Sequence, residues 1–259
     1  MPAVLAMMAH PDDIEITCAG TLVLLKRAGW KVFMATMTPG DVGSMTLPRE
    51  KISFIRRAEA SASASLLAAE YTCLEFDDLA IAYGEDAKRR VCTLIRKVRP
   101  DLMIVPARED YMADHTETAR IGLEAAFAST VPNFRTEAGP EGHPPCERIP
   151  VVLYADPIGL VDWTGKRVKA SQAVDITGVI GVKEKMLAAH ESQRSWLRAQ
   201  HGEDEYLLSM RRWSADRARD FRRGSVKYAE GFNPHRGHGF PHADILGKVL
   251  GRKLVKNCD

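Results

Sequence analysis

The sequence predicts an α/β fold: a single domain in which a mainly parallel sheet lies between layers of helices, a Rossmann-like three-layer sandwich. Three observations carry this. Short apolar runs alternate with longer helical stretches through the first half of the chain, an order that implies parallel strands joined by right-handed crossovers. The first run, Ala3-Val4-Leu5-Ala6-Met7-Met8, is apolar without interruption, as a strand covered on both faces must be. The chain has 259 residues, 45% hydrophobic and 27% charged, enough for one large core.

The elements follow in order. Strands are predicted at Ala3–Met8, Lys31–Met37, Tyr71–Phe76 and Leu102–Pro106, with helices at Thr17–Ala28, Pro48–Ala69 and Glu85–Arg99 between them. Pro48 suits a first helical turn and Gly29 a helix stop. A fourth helix starts near Asp114-His115 and runs to Ala128. Val131–Pro150 is rich in Pro, Gly and Glu and reads as a long surface loop, of the kind that often serves as a lid. Val151–Ala155 is a fifth strand, and Val161–Val168 suggests a hairpin with Thr164-Gly165 near its tip. Ile180–Arg198 and Glu203–Arg222 read as helices. From Gly231 to Asp259 the chain reads as an irregular tail, because Gly and Pro recur through Gly231-Phe-Asn-Pro-His-Arg-Gly-His-Gly-Phe-Pro-His242.

Bulk composition excludes several classes of partner. Formal net charge is +2, from 36 basic and 34 acidic residues, so neither nucleic acid nor an anionic membrane is required. Arg211-Arg212 and Arg217 to Arg223 read as a solvated helix face. The five cysteines are odd in number and show no CxxC spacing, which points to a reducing compartment and away from a cysteine zinc site. No signal peptide or membrane span is legible, so a cytoplasmic location is expected. Gly40-Asp41-Val42-Gly43-Ser44 lacks the lysine of a phosphate loop, and no GxGxxG follows the first strand, which disfavours nucleotide binding.

Chemistry concentrates in two strand-to-helix turns. The first is Ala9-His10-Pro11-Asp12-Asp13-Ile14-Glu15 and the second Arg108-Glu109-Asp110-Tyr111-Met112-Ala113-Asp114-His115. Both fall at the carboxyl edge of a parallel sheet, where ligands bind. His10, Asp13 and His115 together supply two imidazoles and one carboxylate. That set suits Zn²⁺ with a position left for water. Asp12 is then the natural general base. The plainer alternative is that Asp12 or Asp13 only caps a helix and that His115 sits on a surface.

These residues resemble the PIG-L/LmbE-like N-acetylglucosaminyl deacetylases. The resemblance extends from the His10-Pro11-Asp12-Asp13 turn through Cys18-Ala19-Gly20-Thr21-Leu22, Gly40–Ser44, Arg56-Arg57-Ala58-Glu59-Ala60 and Asp114-His115. It ends in Lys185-Met-Leu-Ala-Ala-His190-Glu-Ser-Gln193, so it covers about residues 3–195. It implies a zinc-dependent hydrolase that removes an acetyl or related acyl group from an amino sugar or glycoconjugate. Asp12 falls on the family's base, and His10, Asp13 and His115 on its ligands. Arg56 and Asp78 fall on its substrate-contacting residues. There is one departure. Many members carry a histidine where this chain has Met112, and a thioether cannot transfer a proton. Tyr111, His190 or the tail histidine His238 are the candidates to replace it, and Asp114 is a candidate to orient an imidazole or the base. His238 would serve by covering a neighbouring subunit's site, so a homo-oligomer is among the expectations. Trp163, Trp196 and Trp213 are read as packing residues before sugar-stacking ones. Two other functions fit the same residues: a metal-dependent amidase acting on a thiol-cofactor precursor or antibiotic intermediate, and a sugar-binding protein that has lost turnover.

Overall fold

The protein is described from a computed structural model, which defines residues 1–136, 142–195, 204–221 and 224–258. The strands are β1 (Ala3–Met8), β2 (Lys31–Thr36), β3 (Glu70–Cys73), β4 (Leu102–Val105), β5 (Val151–Ala155), β6 (Gln172–Asp175), β7 (Ala229–Pro234) and β8 (Val255–Asn257). They form one sheet in the order β3-β2-β1-β4-β5-β7-β6-β8. The first five strands are mutually parallel, and β7, β6 and β8 extend the sheet antiparallel. The sheet is thus mainly parallel and lies between helices, as the alternation of elements predicted.

The helices are α1 (Asp13–Thr17), α2 (Ala19–Arg27), α3 (Arg49–Ser65), α4 (Glu85–Val98), α5 (Ala113–Ala128), α6 (Ile180–Ala188), α7 (Glu205–Ala218) and α8 (Ile245–Leu250). Successive side chains of a strand face opposite ways, so β1 feeds two cores at once. Val4, Ala6 and Met8 pack with Leu22, Leu25 and other residues of α2, whereas Leu5 and Met7 pack with Val91 and Ile95 of α4 and Ile121 of α5. Burying β1 completely on both faces leaves its carboxyl end as a rigid platform for the turn that follows.

Three predicted elements take a different form. The helix expected over Thr17–Ala28 is divided at Cys18 (φ −142°, ψ 3°) into α1 and α2. Glu230 of β7 causes the break by accepting the backbone N–H groups of Gly20 (2.8 Å) and Thr21 (2.7 Å), donors that a continuous helix would use internally. Lys183 balances that carboxylate at 2.6 Å, buried with it. Gly20 is required there, since a Cβ would lie 2.7 Å from Ile176 Cγ2.

The tail predicted as irregular from Gly231 is largely regular. Gly231 to Pro234 belong to β7, inserted between β5 and β6, and α8 and β8 follow. Glycine is a close-approach residue in this strand, because a Cβ at 231 would overlap the Asp156 carboxylate. Among the described residues of the tail, 235–244, 251–254 and Cys258 lack a named element.

The helix expected over Ile180–Arg198 stops at Ala188, and residues 191–195 are helical again. Its last three residues, Trp196 among them, lie outside the described residues, as do 137–141 of the long loop and both ends of Glu203–Arg222. No helix among the described residues is long and apolar enough to cross a membrane.

Candidate functional site

β1 delivers His10-Pro11-Asp12-Asp13 to the carboxyl edge of the sheet, and β4, its parallel neighbour, delivers the loop that ends in α5. Asp12 has φ 104° and ψ −28°, a left-handed conformation uncommon outside glycine but most tolerated by Asp and Asn. In this turn the neighbouring carboxylates serve different partners. Asp13 Oδ2 accepts the His10 backbone N–H at 2.8 Å and lies 3.4 Å from His10 Nδ1 and 3.4 Å from His115 Nε2. Asp12 Oδ2 instead faces Arg56 Nη2 at 3.1 Å.

The two ring nitrogens turned away from Asp13 are also occupied. His10 Nε2 lies 3.0 Å from Asp78 Oδ1 and 3.2 Å from Asp114 Oδ2. His115 Nδ1 lies 3.1 Å from Asp110 Oδ1. Each outer carboxylate is itself tied to backbone. Asp114 accepts the N–H groups of Leu79 (2.8 Å) and Ile81 (3.3 Å), and Asp110 accepts that of Ile158 (3.2 Å). Carboxylates behind imidazoles fix ring orientation and turn the opposite lone pair inward. The inward atoms of His10, Asp13 and His115 lie within 4.8 Å of one another, a spacing one ion can bridge.

Electrostatics point the same way. Burial alone would lower the His10 pKa, but Asp114, Asp13 and Asp78 push it up to about 12. Burial likewise opposes the charge on His115, yet Asp13 and Asp110 push it up to about 10. Burial would raise Asp13, but His115 and His10 hold it well below the usual carboxylate range. The pocket is rich enough in negative charge to hold protons on both imidazoles, and a divalent cation can take their place. The donor set therefore fits such a cation.

Around this centre the predicted residues divide. Arg56 is 4% exposed and donates to the carbonyls of Pro11 (2.7 Å) and Gly40 (3.3 Å) as well as to Asp12. Its charged nitrogens thus hold the protein's own turns. Asp78 is likewise turned toward the protein. It is buried against His10 and accepts the Val42 N–H, so both its oxygens face the protein. Tyr111 is 61% exposed, its ring edge-on to His115 at 5.6 Å.

His190 is fully buried, 3.4 Å from Glu15, whose other contact is Ser63. Burial alone would lower the His190 pKa, but Glu15 and Asp12 raise it. Met112 caps α5 in an extended conformation. His238 is exposed and belongs to a loop whose neighbour His235 bonds Val152 O near the start of β5. That is the amino edge of the sheet, opposite the turns, so the chain's own His238 does not join them. Trp213 lines a small interior cavity with Thr17 and Ile158, and Trp163 is exposed.

Two residues here went unread in the sequence. Asp110 stood in the second turn, and only the fold shows that it backs His115. Tyr206, in the first turn of α7 and almost two hundred positions away, acts on Asp12 and draws its pKa down. No local pattern announces such an influence.

Residues 5–126 match the family model PIG-L, described as GlcNAc-PI de-N-acetylase. Diacetylchitobiose deacetylase of Thermococcus kodakarensis is 28% identical over 196 residues, which cover 73% of this chain and 69% of that protein. The structure of N,N'-diacetylchitobiose deacetylase from Pyrococcus horikoshii superposes with a TM-score of 0.75 at 25% identity, over 94% of this chain and 88% of that one. The 4-carboxy-2-hydroxymuconate hydratase of Pseudomonas putida shares the fold at TM-score 0.76 and 18% identity, over 94% of this chain and 100% of that one. The chain is thus similar, over residues 5–126, to the PIG-L family, and over most of its length to diacetylchitobiose deacetylases.

Proposed function

We propose that the protein is a zinc-dependent hydrolase that removes an acetyl, or related acyl, group from the nitrogen of an amino sugar or glycoconjugate. One observation carries the reading. A single carboxylate oxygen of Asp13 lies 3.4 Å from an inward nitrogen of each of two imidazoles, with a second carboxylate, Asp12, beside it and not among them. His10, Asp13 and His115 would hold the ion, which when bound supplies Lewis-acid polarisation of the acyl carbonyl and makes water more acidic.

The remaining steps belong to side chains. Asp12 accepts a proton from the attacking water as the new C–O bond forms. It returns that proton to the nitrogen as the C–N bond breaks, leaving a free amine and a carboxylic acid, which ionises by losing its remaining proton to solvent. Burial and the neighbouring Asp13 raise the Asp12 pKa, while Arg56, His190 and Tyr206 pull it back. A base set above the ordinary carboxylate value gives a proton up less readily to water and is better matched to both transfers. Arg56 fixes the plane of this carboxylate through the Pro11 and Gly40 carbonyls. The pocket rim suits a hydroxyl-rich substrate. Asp78 N–H donates to Asp41 (3.0 Å), and beyond Asp41 opens a polar groove of about 450 Å³ lined by Arg49, Glu50, Arg57 and Asp77. The named deacetylase relatives support this substrate class.

The test is acetate release from N-acetylglucosamine, its disaccharide and its conjugates, before chelation, after it, and after zinc is restored. Release that stops with the chelator and returns with zinc supports the reading. A zinc-loaded protein that frees no acetate from any of them overturns it. The same preparation should then be offered acylated thiol-cofactor precursors, antibiotic intermediates and unsaturated dicarboxylic acids.

A further inference from the structure

Among the described residues two leucines have a left-handed backbone, Leu79 (φ 62°) and Leu160 (φ 61°). That conformation crowds the Cβ against the following carbonyl oxygen and is ordinarily left to Gly, Asn or Asp. Leu160 is 5% exposed, and the packing of its side chain compensates. Leu79 is 63% exposed and packs in neither of the two large cores. Backbone and surroundings alike would suit Asn or Gly there. Strain that the fold itself does not need, at an edge where ligands bind, points to function.

The backbone of Leu79 is held next to the candidate centre. Asp114 Oδ2 stands between the Leu79 N–H (2.8 Å) and His10 Nε2 (3.2 Å). Asp114 Oδ1 accepts the Ile81 N–H at 3.3 Å, and the Asp78 N–H donates to Asp41 at 3.0 Å. The Val42 N–H reaches Asp78 Oδ2 at 3.4 Å, which brings a second exposed apolar residue to the same corner. His10, Asp78 and Asp114 beneath are all buried, so the Leu79 side chain stands on the solvent side of the centre. Beside it, past Asp77 and Asp41, lies the polar groove. A polar trough bordered by a fixed apolar side chain matches a pyranose, whose hydroxyls ring its edge and whose C–H groups form its faces.

We propose that Leu79 is a specificity-determining residue that packs against the C–H face of the sugar ring whose acylated nitrogen is cleaved. The left-handed backbone is retained because it holds this side chain at the mouth of the site. The contact is equally good before and during the reaction, so it acts on binding and not on the chemical step. The inference rests on the deacetylase reading and names the part of the substrate that this residue recognises.

Leu79→Asn suits the backbone and removes the apolar contact, whereas Leu79→Met keeps an apolar side chain. On a sugar that the unaltered protein deacetylates, Leu79→Asn should raise KM about tenfold with kcat within about twofold, and Leu79→Met should stay within about threefold in both. Zinc content should not change, and the melting temperature of Leu79→Asn should be equal or higher, since the strain is relieved. A residue that only supported the fold would lose affinity and stability together. An unchanged KM overturns the proposal, and so does a rise in KM that comes with lost zinc or a lower melting temperature. A changed sedimentation coefficient in Leu79→Asn also overturns it, because a second copy of the chain would then be what covers the leucine.

The rise in KM should be the same for acetylated and propionylated forms of one sugar. A rise that differs between them places the leucine against the acyl group and sinks the assignment to the ring. Cleavage that is indifferent to residue 79 removes this inference alone. A protein that cleaves no acylated sugar removes the deacetylase reading and the inference with it.

Discussion

At the scale of single residues, Asp12 and Asp13 show how adjacent identical side chains acquire different work. The left-handed backbone at Asp12 sends its carboxylate to Arg56, while Asp13 turns to the imidazoles. Asp12→Asn keeps the shape and tolerates that backbone, so bound zinc should be unchanged while turnover falls about 10²- to 10⁴-fold. Metal analysis and acetate release on the same sample check both halves. Asp110→Asn should act the other way. It weakens the carboxylate behind His115, and zinc affinity should drop about 10- to 100-fold in a competition titration. The cluster of His10, Asp13 and His115 was legible as a candidate ligand set because each member stands in a strand-to-helix turn with its own chemical signature. Asp78 was legible as a site residue, but its contact with His10 was not. Its partner is an imidazole from another strand, and no spacing within the chain encodes that meeting.

At the scale of elements, β7 holds the sheet extension in place and the sequence hid it. Gly231 bends no turn. It gives room to the bidentate pair of Arg217 with Asp156, at 2.7 Å on both arms, with Arg217 only 1% exposed. Arg217→Ala would leave Asp156 buried without its cation, and the protein should lose about 3–5 kcal/mol in denaturant unfolding. A loss under 1 kcal/mol would mean that water reaches Asp156 and that the pair does not lock α7 to the sheet. The division between α1 and α2 has the same origin. Glu230 reaches from β7 to the first turn of α2, so a residue near the end of the chain decides where a helix near its start is interrupted. Local propensity contains no term for such a reach.

At the scale of the whole molecule, the charge at the sheet edge links metal, protons and stability. His10 and His115 carry protons in the metal-free protein, with pKa values of about 12 and about 10 against an ordinary 6.5. A group raised on folding contributes stability that is fully present below its unfolded pKa and is lost as pH rises through the folded one. The chelated protein should therefore weaken as pH climbs from neutral toward 10 and beyond, which melting curves will show. Zinc needs the neutral imidazoles, so binding near pH 8 should release about two protons. Calorimetry in buffers of different ionisation enthalpy measures that number, and a value near zero would remove both histidines from the ion. Zinc at about 100 times its dissociation constant adds about 2.7 kcal/mol. Chelation should accordingly lower the melting temperature by several degrees.

Taken alone, the sequence determined the parallel half of the sheet, the two turns at its carboxyl edge and the residues that form the inner set, because hydrophobic period and local turn chemistry act over a few residues. Tertiary structure decided everything that depends on distant segments meeting. It inserted a glycine-bearing strand between β5 and β6, turned Arg56 and Asp78 inward and placed Asp110 behind an imidazole. The reason is physical: a buried charge takes whatever partner the packed chain brings within about 3 Å, and that partner is chosen by the fold rather than by neighbours in sequence.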